Sequence, residues 1–239
     1  MRAHVTGSRP RLVGHRGASA LAPENTLRAI ELAIAAGLDL IEVDVHLSRD
    51  GALVVIHDAD LRRMAGRSDA VAALTADELA RVDVGAGQGV PRLTDVLALA
   101  RGHIGVYVEL KGARTGTALG ELVRDGGAEG VEVIAGSFDS GLVTELASVT
   151  RDLPRSVLFR ETSGAAMVEA CASVGATYAH PCFRPLDRPI VDELHAAGLL
   201  VMAPHTNDRA EARAFAAAGI DVLATDDPEV LAEFVRSGA

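Results

Sequence analysis

The sequence predicts an α/β protein, a (β/α)8 TIM barrel with a short insertion after the second strand. Short apolar segments alternate with amphipathic segments along most of the chain, which is the pattern of parallel strands covered by helices. The chain has 239 residues, close to the roughly 250 that such a barrel takes as one unit. We therefore expect a single domain over residues 1–239, with the insertion at residues 60–89.

About eight strands, with helices between them, follow from this alternation. The predicted strands are residues 12–13, 40–47, 105–110, 131–135, 156–159, 177–179, 199–203 and 221–224. The predicted helices are residues 23–36, 93–100, 117–124, 140–149, 164–174, 189–197, 209–218 and 229–236. Eight such repeats close into a barrel, whose catalytic side chains lie at the carboxyl ends of the strands.

The insertion follows a hairpin. A turn of composition SRDG at residues 48–51 returns the chain through a further short strand at residues 53–56. Residues 60–89 are longer than an ordinary link from strand to helix and are rich in small and polar residues. We expect one short helix there, capped by Thr75 and running through Leu79.

An open doubly wound sheet is the alternative fold that this alternation allows. Such a sheet would need a glycine-rich phosphate-binding turn after its first strand. The corresponding residues 15–20 read HRGASA, which is not the G-x-G-x-x-G pattern. The sequence therefore favours the barrel.

Composition excludes several classes of partner. The formal net charge of -10 argues against nucleic acid, because gripping a phosphate backbone requires a basic face. No apolar run reaches the about 20 residues that cross a bilayer, so we expect no stable membrane insertion. The first residues lack the apolar core of a secretory signal. Two cysteines, Cys171 and Cys182, are too few for a disulfide framework. These features predict a cytoplasmic protein, while its oligomeric state is left open.

Two acidic residues lie on one face of the second strand. Glu42 and Asp44 are two positions apart in a segment that is otherwise mainly apolar, so their side chains point the same way. Buried carboxylates this close repel each other unless a cation lies between them. A hard divalent ion is the simplest solution, and an edge strand with a wet polar face is the alternative.

A third acid occurs on the next predicted strand. Glu109 and Lys111 are also two positions apart and therefore share a face. They form either a buried ion pair or a third metal ligand with a phosphate contact. Three carboxylates suit one divalent cation, Mg²⁺ or Ca²⁺, and the sequence does not separate the two ions.

Two histidines end short apolar strands. His15 is followed by Arg16, and His57 is followed by Asp58. A histidine at a strand end is more often structural, but an imidazole pair beside carboxylates and an arginine suits acid–base attack on a phosphate ester. One imidazole would take a proton from the nucleophile and the other would give one to the leaving oxygen, with Arg16 on the phosphate.

The order and spacing of these motifs closely resemble the glycerophosphodiester phosphodiesterase family. The motifs are HRG at residues 15–17, PENT at 23–26, E-x-D at 42–44 and HD at 57–58. Further matches are ELK at 109–111, SFD at 137–139 and TDDP at 225–228, so the likeness spans nearly the whole chain.

The resemblance implies metal-dependent hydrolysis of glycerophosphodiesters, small-molecule substrates, to glycerol 3-phosphate and an alcohol. It supports Glu42, Asp44 and Glu109 as metal ligands and Arg16 and Lys111 as phosphate contacts. It also implies that residues 60–89 form a small cap over the barrel mouth. The nucleophile, either water or the neighbouring glycerol hydroxyl, is left open.

Four further side chains lie just after the ends of predicted strands. Phe138 is expected to line the substrate pocket, and Asp139 to cap the following helix. His180 and His205 also end strands, and for each a structural role is favoured.

Two features near the carboxyl terminus complete these expectations. Asp226 and Asp227, before Pro228, are expected to cap the last helix. Where the family has a tryptophan-containing run such as WTVN, this chain has Pro204 and then HTN. An apolar wall against the alcohol is therefore missing or supplied by other residues.

Two further functions remain open beside this one. A lysophospholipase D acting on single-chain lipids would need an apolar mouth, whereas residues 60–89 are poor in large apolar side chains. A non-catalytic barrel that only binds phosphodiesters would not require an acid and a base.

Overall fold

The computed structural model describes residues 9–236 of the chain. Within them, nine strands form one sheet: β1 Arg11–His15, β2 Leu40–Leu47, β3 Leu53–Val55, β4 Gly105–Leu110, β5 Val133–Ser137, β6 Arg155–Phe159, β7 Tyr178–Pro181, β8 Leu200–Val201 and β9 Val222–Thr225. Eight of them are parallel and run in the order β8-β7-β6-β5-β4-β2-β1-β9, while β3 pairs antiparallel with β2.

The two ends of this row of strands meet. Met202, just after β8, forms a parallel bridge with Val222 of β9. The N–H of Ala203 donates to the carbonyl of Val222 over 3.0 Å. The predicted TIM barrel is confirmed.

Helices separate the strands and cover the barrel. They are α1 Leu27–Ala35, α2 Arg62–Ala65, α3 Ala76–Leu79, α4 Leu93–Ala100, α5 Thr115–Arg124, α6 Ser140–Val149, α7 Gly164–Val174, α8 Arg188–Ala196, α9 Arg209–Ala218 and α10 Ala232–Arg236, with short 3-10 turns at Val71–Ala73 and Pro228–Leu231. Asp139 caps α6 as predicted, its carboxylate accepting from the N–H of Gly141.

The first helix begins later than the sequence predicts. Asn25 has a left-handed φ of 58°, which a helix cannot continue through, and Thr26 is the N-cap whose side chain accepts from the N–H of Ala29. The prediction that residues 23–26 form the first turn is therefore wrong. Glu24 stays in the loop, where its side chain is free to reach the barrel mouth.

Alternation along β2 separates core from site. Leu40 packs inside the barrel, whereas Ile41 and Val43 pack outward beneath the helices. Glu42 and Asp44 share the inner face with Leu40 and lie beyond it, towards the carboxyl end of the strand. The inner cluster fills the barrel below them and consists of Val13, Leu40, Tyr107, Ile134, Leu158, Tyr178, Met202, Val222 and Ala224.

The insertion has an apolar cluster of its own, which includes Leu61, Val71 and Leu79. Thr75 caps α3 as predicted, and Glu78 completes a capping box by accepting from the backbone of Thr75. The structure adds α2 and a 3-10 turn to the one helix predicted. Elements of three or four residues are too short to show helical periodicity in the sequence.

No helix within residues 9–236 is long and apolar enough to cross a bilayer. The expectation about a secretory signal concerns residues that lie largely outside the described range. The cytoplasmic location, and the assignment of all 239 residues to one domain, stay predictions.

Candidate active site

The sequence-predicted residues on β1, β2 and β4 meet at the carboxyl ends of these strands. His15 lies in register with Glu42, and Asp44 lies in register with Glu109. Adjacent strands in register bring side chains of one face within contact distance. Three neighbouring strands therefore present one histidine and three carboxylates at the same end of the barrel.

The three carboxylates form a compact buried cluster. One oxygen from each of Glu42, Asp44 and Glu109 lies within 4.8 Å of the others, and all three residues are buried. Within the described part of the chain, Oε1 of Glu42 is buried with no hydrogen-bond partner. Burial, and then the charge of Asp44, raise the pKa of Glu42 to about 8. An all-oxygen cluster with an unpaired buried oxygen fits a hard divalent cation.

Lys111 reaches into this cluster. Its Nζ lies 2.5 Å from Oε1 of Glu109 and 3.1 Å from Oδ1 of Asp44. The ion pair that the sequence left open is thus formed, and it involves both acids. Burial opposes ionisation of Asp44, but Lys111 and Arg16 outweigh it, so the pKa of Asp44 lies below its usual value.

Arg16 and Asn25 support the same acids from the loop after β1. The backbone N–H of Arg16 donates to Oε2 of Glu42 over 2.9 Å, and its Nε lies 3.3 Å from Oδ2 of Asp44. The amide of Asn25 donates to Oδ2 of Asp44 over 2.9 Å. Arg16 adopts a left-handed φ of 57°, so this backbone is shaped to aim its N–H at the cluster.

His15 is held between an acid and a second imidazole. Its Nδ1–H donates to Oδ1 of Asp226 over 2.6 Å, and its Nε2 lies 4.0 Å from Oε2 of Glu42. The ring of His205 stacks on it at 4.1 Å between centroids. Asn207 donates to the other oxygen of Asp226 over 2.7 Å.

The assignment of Asp226 as a helix cap is wrong. The cap is Asp227, whose side chain accepts from the N–H of Glu229, while Asp226 binds His15. Burial opposes ionisation of Asp226, but the hydrogen bonds from His15 and Asn207 outweigh it and lower its pKa. Its position at the end of the last strand was the signal that could have identified it.

His57, like His15, is held by an aspartate. Its Nδ1–H donates to Oδ1 of Asp58 over 2.7 Å, and Oδ2 of Asp58 accepts from Nε of Arg63 over 2.6 Å. His57 lies near enough to Asp44 and Glu109 that a positive charge on its ring would favour their ionised forms. Both predicted histidines thus flank the carboxylate cluster, each with Nδ1 occupied by an aspartate.

Phe138 lies at the end of β5 and is 36% exposed. The guanidinium of Arg160 lies 4.8 Å from the centroid of its ring, a cation–π contact. Phe138 as a substrate contact stays a prediction.

His180 differs from the other histidines. It is buried, and burial lowers its pKa to about 3, so it stays neutral, edge-on to Tyr107 at 6.0 Å between ring centroids. The structural role favoured from the sequence fits this environment. Cys171 and Cys182 are free thiols, as predicted.

The sequence model of the Glycerophosphoryl diester phosphodiesterase family matches residues 15–230. The chain belongs to the glycerophosphoryl diester phosphodiesterase family. It is an enzyme of that family, a phosphoric diester hydrolase, as its motifs predicted. A glycerophosphodiester phosphodiesterase of Caldanaerobacter subterraneus is 30% identical over 250 residues, which cover 95% of this chain and 98% of the relative.

Two solved structures agree with the fold. The crystal structure of a glycerophosphodiester phosphodiesterase from Agrobacterium tumefaciens is 31% identical with a TM-score of 0.79, covering 93% of this chain and 99% of that one. A phosphodiesterase from Oleispira antarctica, solved with the product sn-glycerol-3-phosphate, has a TM-score of 0.88 at 24% identity and covers 95% and 97% of the two chains. This second likeness concerns the fold alone.

Proposed function

We propose that this enzyme hydrolyses glycerophosphodiesters to glycerol 3-phosphate and an alcohol, with a divalent cation and two histidines. One observation carries the proposal: two imidazoles, each bound to an aspartate through Nδ1, flank a buried cluster of three carboxylates. The family match and the named relative from Caldanaerobacter subterraneus support the substrate class.

Glu42, Asp44 and Glu109 would hold one divalent cation, Mg²⁺ or Ca²⁺. The fit rests on their oxygen-only donors and on the unpaired buried oxygen of Glu42. When bound, the ion withdraws charge from phosphoryl oxygens and makes the phosphorus more open to attack.

Arg16 and Lys111 would bind the phosphate. Both cations lie beside the carboxylate cluster, Arg16 with Nε 3.3 Å from Asp44 and Lys111 with Nζ 3.1 Å from the same acid. A phosphodiester carries one negative charge, which these side chains can neutralise as it enters. Bound there, the phosphate would lie close to the carboxylate cluster that the two histidines flank.

His15 and His57 would exchange protons with the substrate. In each ring the aspartate binds Nδ1–H, which leaves Nε2 as the ring nitrogen available for proton transfer. One neutral Nε2 takes the proton of the nucleophile as the new P–O bond forms. The other, protonated, gives its proton to the alcohol oxygen as the old P–O bond breaks. The nucleophile is water, or the neighbouring glycerol hydroxyl through a cyclic phosphate that water then opens.

A lysolipid substrate is less well supported. Within the described residues, the exposed large hydrophobic side chains are Leu21 and Phe138. Two side chains do not cover an acyl chain, whose burial would need a continuous apolar surface. A glycerophosphodiester without acyl chains fits this mouth better.

The test is release of glycerol 3-phosphate from glycerophosphocholine by chelator-stripped protein, with Mg²⁺ or Ca²⁺ added back separately. Metal-dependent release supports the proposal, and the more effective ion identifies the cofactor. Release of product from lysophospholipid alone would favour the lysolipid function. Binding of phosphodiesters without any release would favour a non-catalytic barrel.

A further inference from the structure

One arginine of the insertion, Arg63 of α2, contacts two acidic side chains beside the candidate active site. Its Nε donates to Oδ2 of Asp58 over 2.6 Å. Its Nη1 and Nη2 donate to the two oxygens of Glu24 over 2.9 and 2.7 Å. This is the two-pronged geometry that a planar guanidinium forms with a carboxylate, with a second acid on the remaining edge.

Each of these acids also binds a residue of the proposed machinery. Oδ1 of Asp58 accepts from Nδ1 of His57 over 2.7 Å, and Oε1 of Glu24 accepts from Nη1 of Arg16 over 2.8 Å. The contacts form one continuous chain from His57 through Asp58, Arg63 and Glu24 to Arg16. One cation from the insertion therefore connects a proton-exchanging histidine with a phosphate-binding arginine.

We propose that Arg63 is a positioning residue that acts through Asp58 on His57 and through Glu24 on Arg16; this rests on the proposed function. Arg63 fixes the rotation of the Asp58 carboxylate, so that Oδ1 stays on Nδ1 of His57 and Nε2 stays turned to the substrate. Without Arg63, Glu24 and Asp58 would each lose a cation and be free to rotate towards water.

The apolar core of the insertion does not include Arg63. The segment is held by its apolar cluster, in which Leu61, Val71 and Leu79 are almost completely buried, whereas the Arg63 side chain is 45% exposed. Loss of the guanidinium therefore acts on the hydrogen-bond chain and not on the core. Arg62 is the matched control, since it lies on the same helix, is 72% exposed, and its Nε lies 3.6 Å from Oδ2 of Asp60.

The first measurement is kcat and KM for glycerophosphocholine with the more effective ion. We expect Arg63→Ala to lower kcat by roughly 10- to 100-fold, the usual effect of removing a residue that orients a catalytic group. Arg63→Lys should restore little, because one ammonium cannot bridge both acids. Arg62→Ala should stay within about twofold of wild type. Asp58→Asn combined with Arg63→Ala should lose much less than the product of the two single losses.

The second measurement is the tautomer of His57, read from ¹⁵N NMR of the imidazole and assigned with His57→Gln. We expect Nδ1–H in the wild type and a mixture of tautomers in Arg63→Ala. A kcat within about twofold of wild type in Arg63→Ala overturns the proposal, and so does a lowered kcat with an unchanged His57 tautomer. Should Arg63→Ala lack a cooperative thermal transition, Arg63→Gln is measured against the same thresholds.

The two failures are distinguishable. If the wild-type protein releases no glycerol 3-phosphate, the proposed function fails, and the NMR comparison by itself decides whether Arg63 positions His57.

Discussion

Replacing Asp226 by asparagine tests whether the hydrogen bond between His15 and Asp226 prepares His15 for proton transfer. Asn has the shape of Asp but no charge, so it removes the anion that lies 2.6 Å from Nδ1 of His15. The same carboxylate accepts from Ser19 over 3.0 Å and from Asn207 over 2.7 Å. An amide at this position would turn its NH₂ towards one of these donors and disturb the orientation of the His15 ring.

The magnitude follows from the hydrogen bond that is lost. A hydrogen bond to a charged group contributes about 1.5–3 kcal/mol, and every 1.36 kcal/mol changes a rate about tenfold. The side chains of His15 and Asp226 are only 19% and 25% exposed, so water screens their interaction in part. We expect Asp226→Asn to lower kcat by roughly 10- to 150-fold.

The assay is release of glycerol 3-phosphate at saturating metal, with Asp227→Asn as control. Asp227 is the adjacent acid, but it caps the terminal 3-10 turn by accepting from the N–H of Glu229, and asparagine is an equally good cap. Its variant should keep wild-type kcat. Wild-type kcat in Asp226→Asn, or an equal loss in both variants, would refute the reasoning.

Three further predictions concern the metal, the second histidine and the loop after β1. Burial raises the pKa of Glu42 to about 8, so below about pH 8 a metal ion must displace a proton from this side chain. The apparent metal affinity, measured by calorimetry, should therefore rise by up to about tenfold per pH unit as the pH approaches 8, and then level off. A pH-independent affinity would contradict this. His57→Ala should lower kcat by roughly 10²–10⁴ with an unchanged circular dichroism spectrum, and a near-normal rate would remove His57 from the mechanism. Gly17→Ala should lower the free energy of unfolding, measured in urea, by about 2 kcal/mol or more, because its φ is +82° and a Cβ would lie 2.7 Å from the backbone of Ala29. Gly51 is the control, since its φ is +80° but a Cβ there would meet nothing within 4 Å. Gly51→Ala should lose only the cost of the left-handed backbone, about 1 kcal/mol.

Features that depend on neighbouring residues were predictable from the sequence. Glu42 and Asp44 share a face because strand side chains alternate, and that holds wherever the strand lies. The alternation of strands and helices predicted the barrel and, with it, the end at which chemistry occurs. The cap at Thr75 was equally local, since a threonine followed three residues later by Glu78 satisfies the first turn by itself.

Errors arose where a distant contact overrides local preference. Residues 23–26 have the composition of a helix start, yet Asn25 turns left-handed and exchanges two hydrogen bonds with Asp44, 19 positions away. Nothing near Asn25 in sequence indicates that partner. The helix therefore begins only after the loop has met β2.

The acid that binds His15 was identified only by the tertiary structure. His15 and Asp226 are 211 positions apart and meet because closure of the barrel places β9 beside β1. Arg63 and Glu24 are 39 positions apart and meet because α2 of the insertion lies beside the loop after β1. Local propensity determines strands, caps and faces, since it acts over a few residues. The pairing of charges across the barrel depends on long-range packing, which a single sequence does not encode in any one segment.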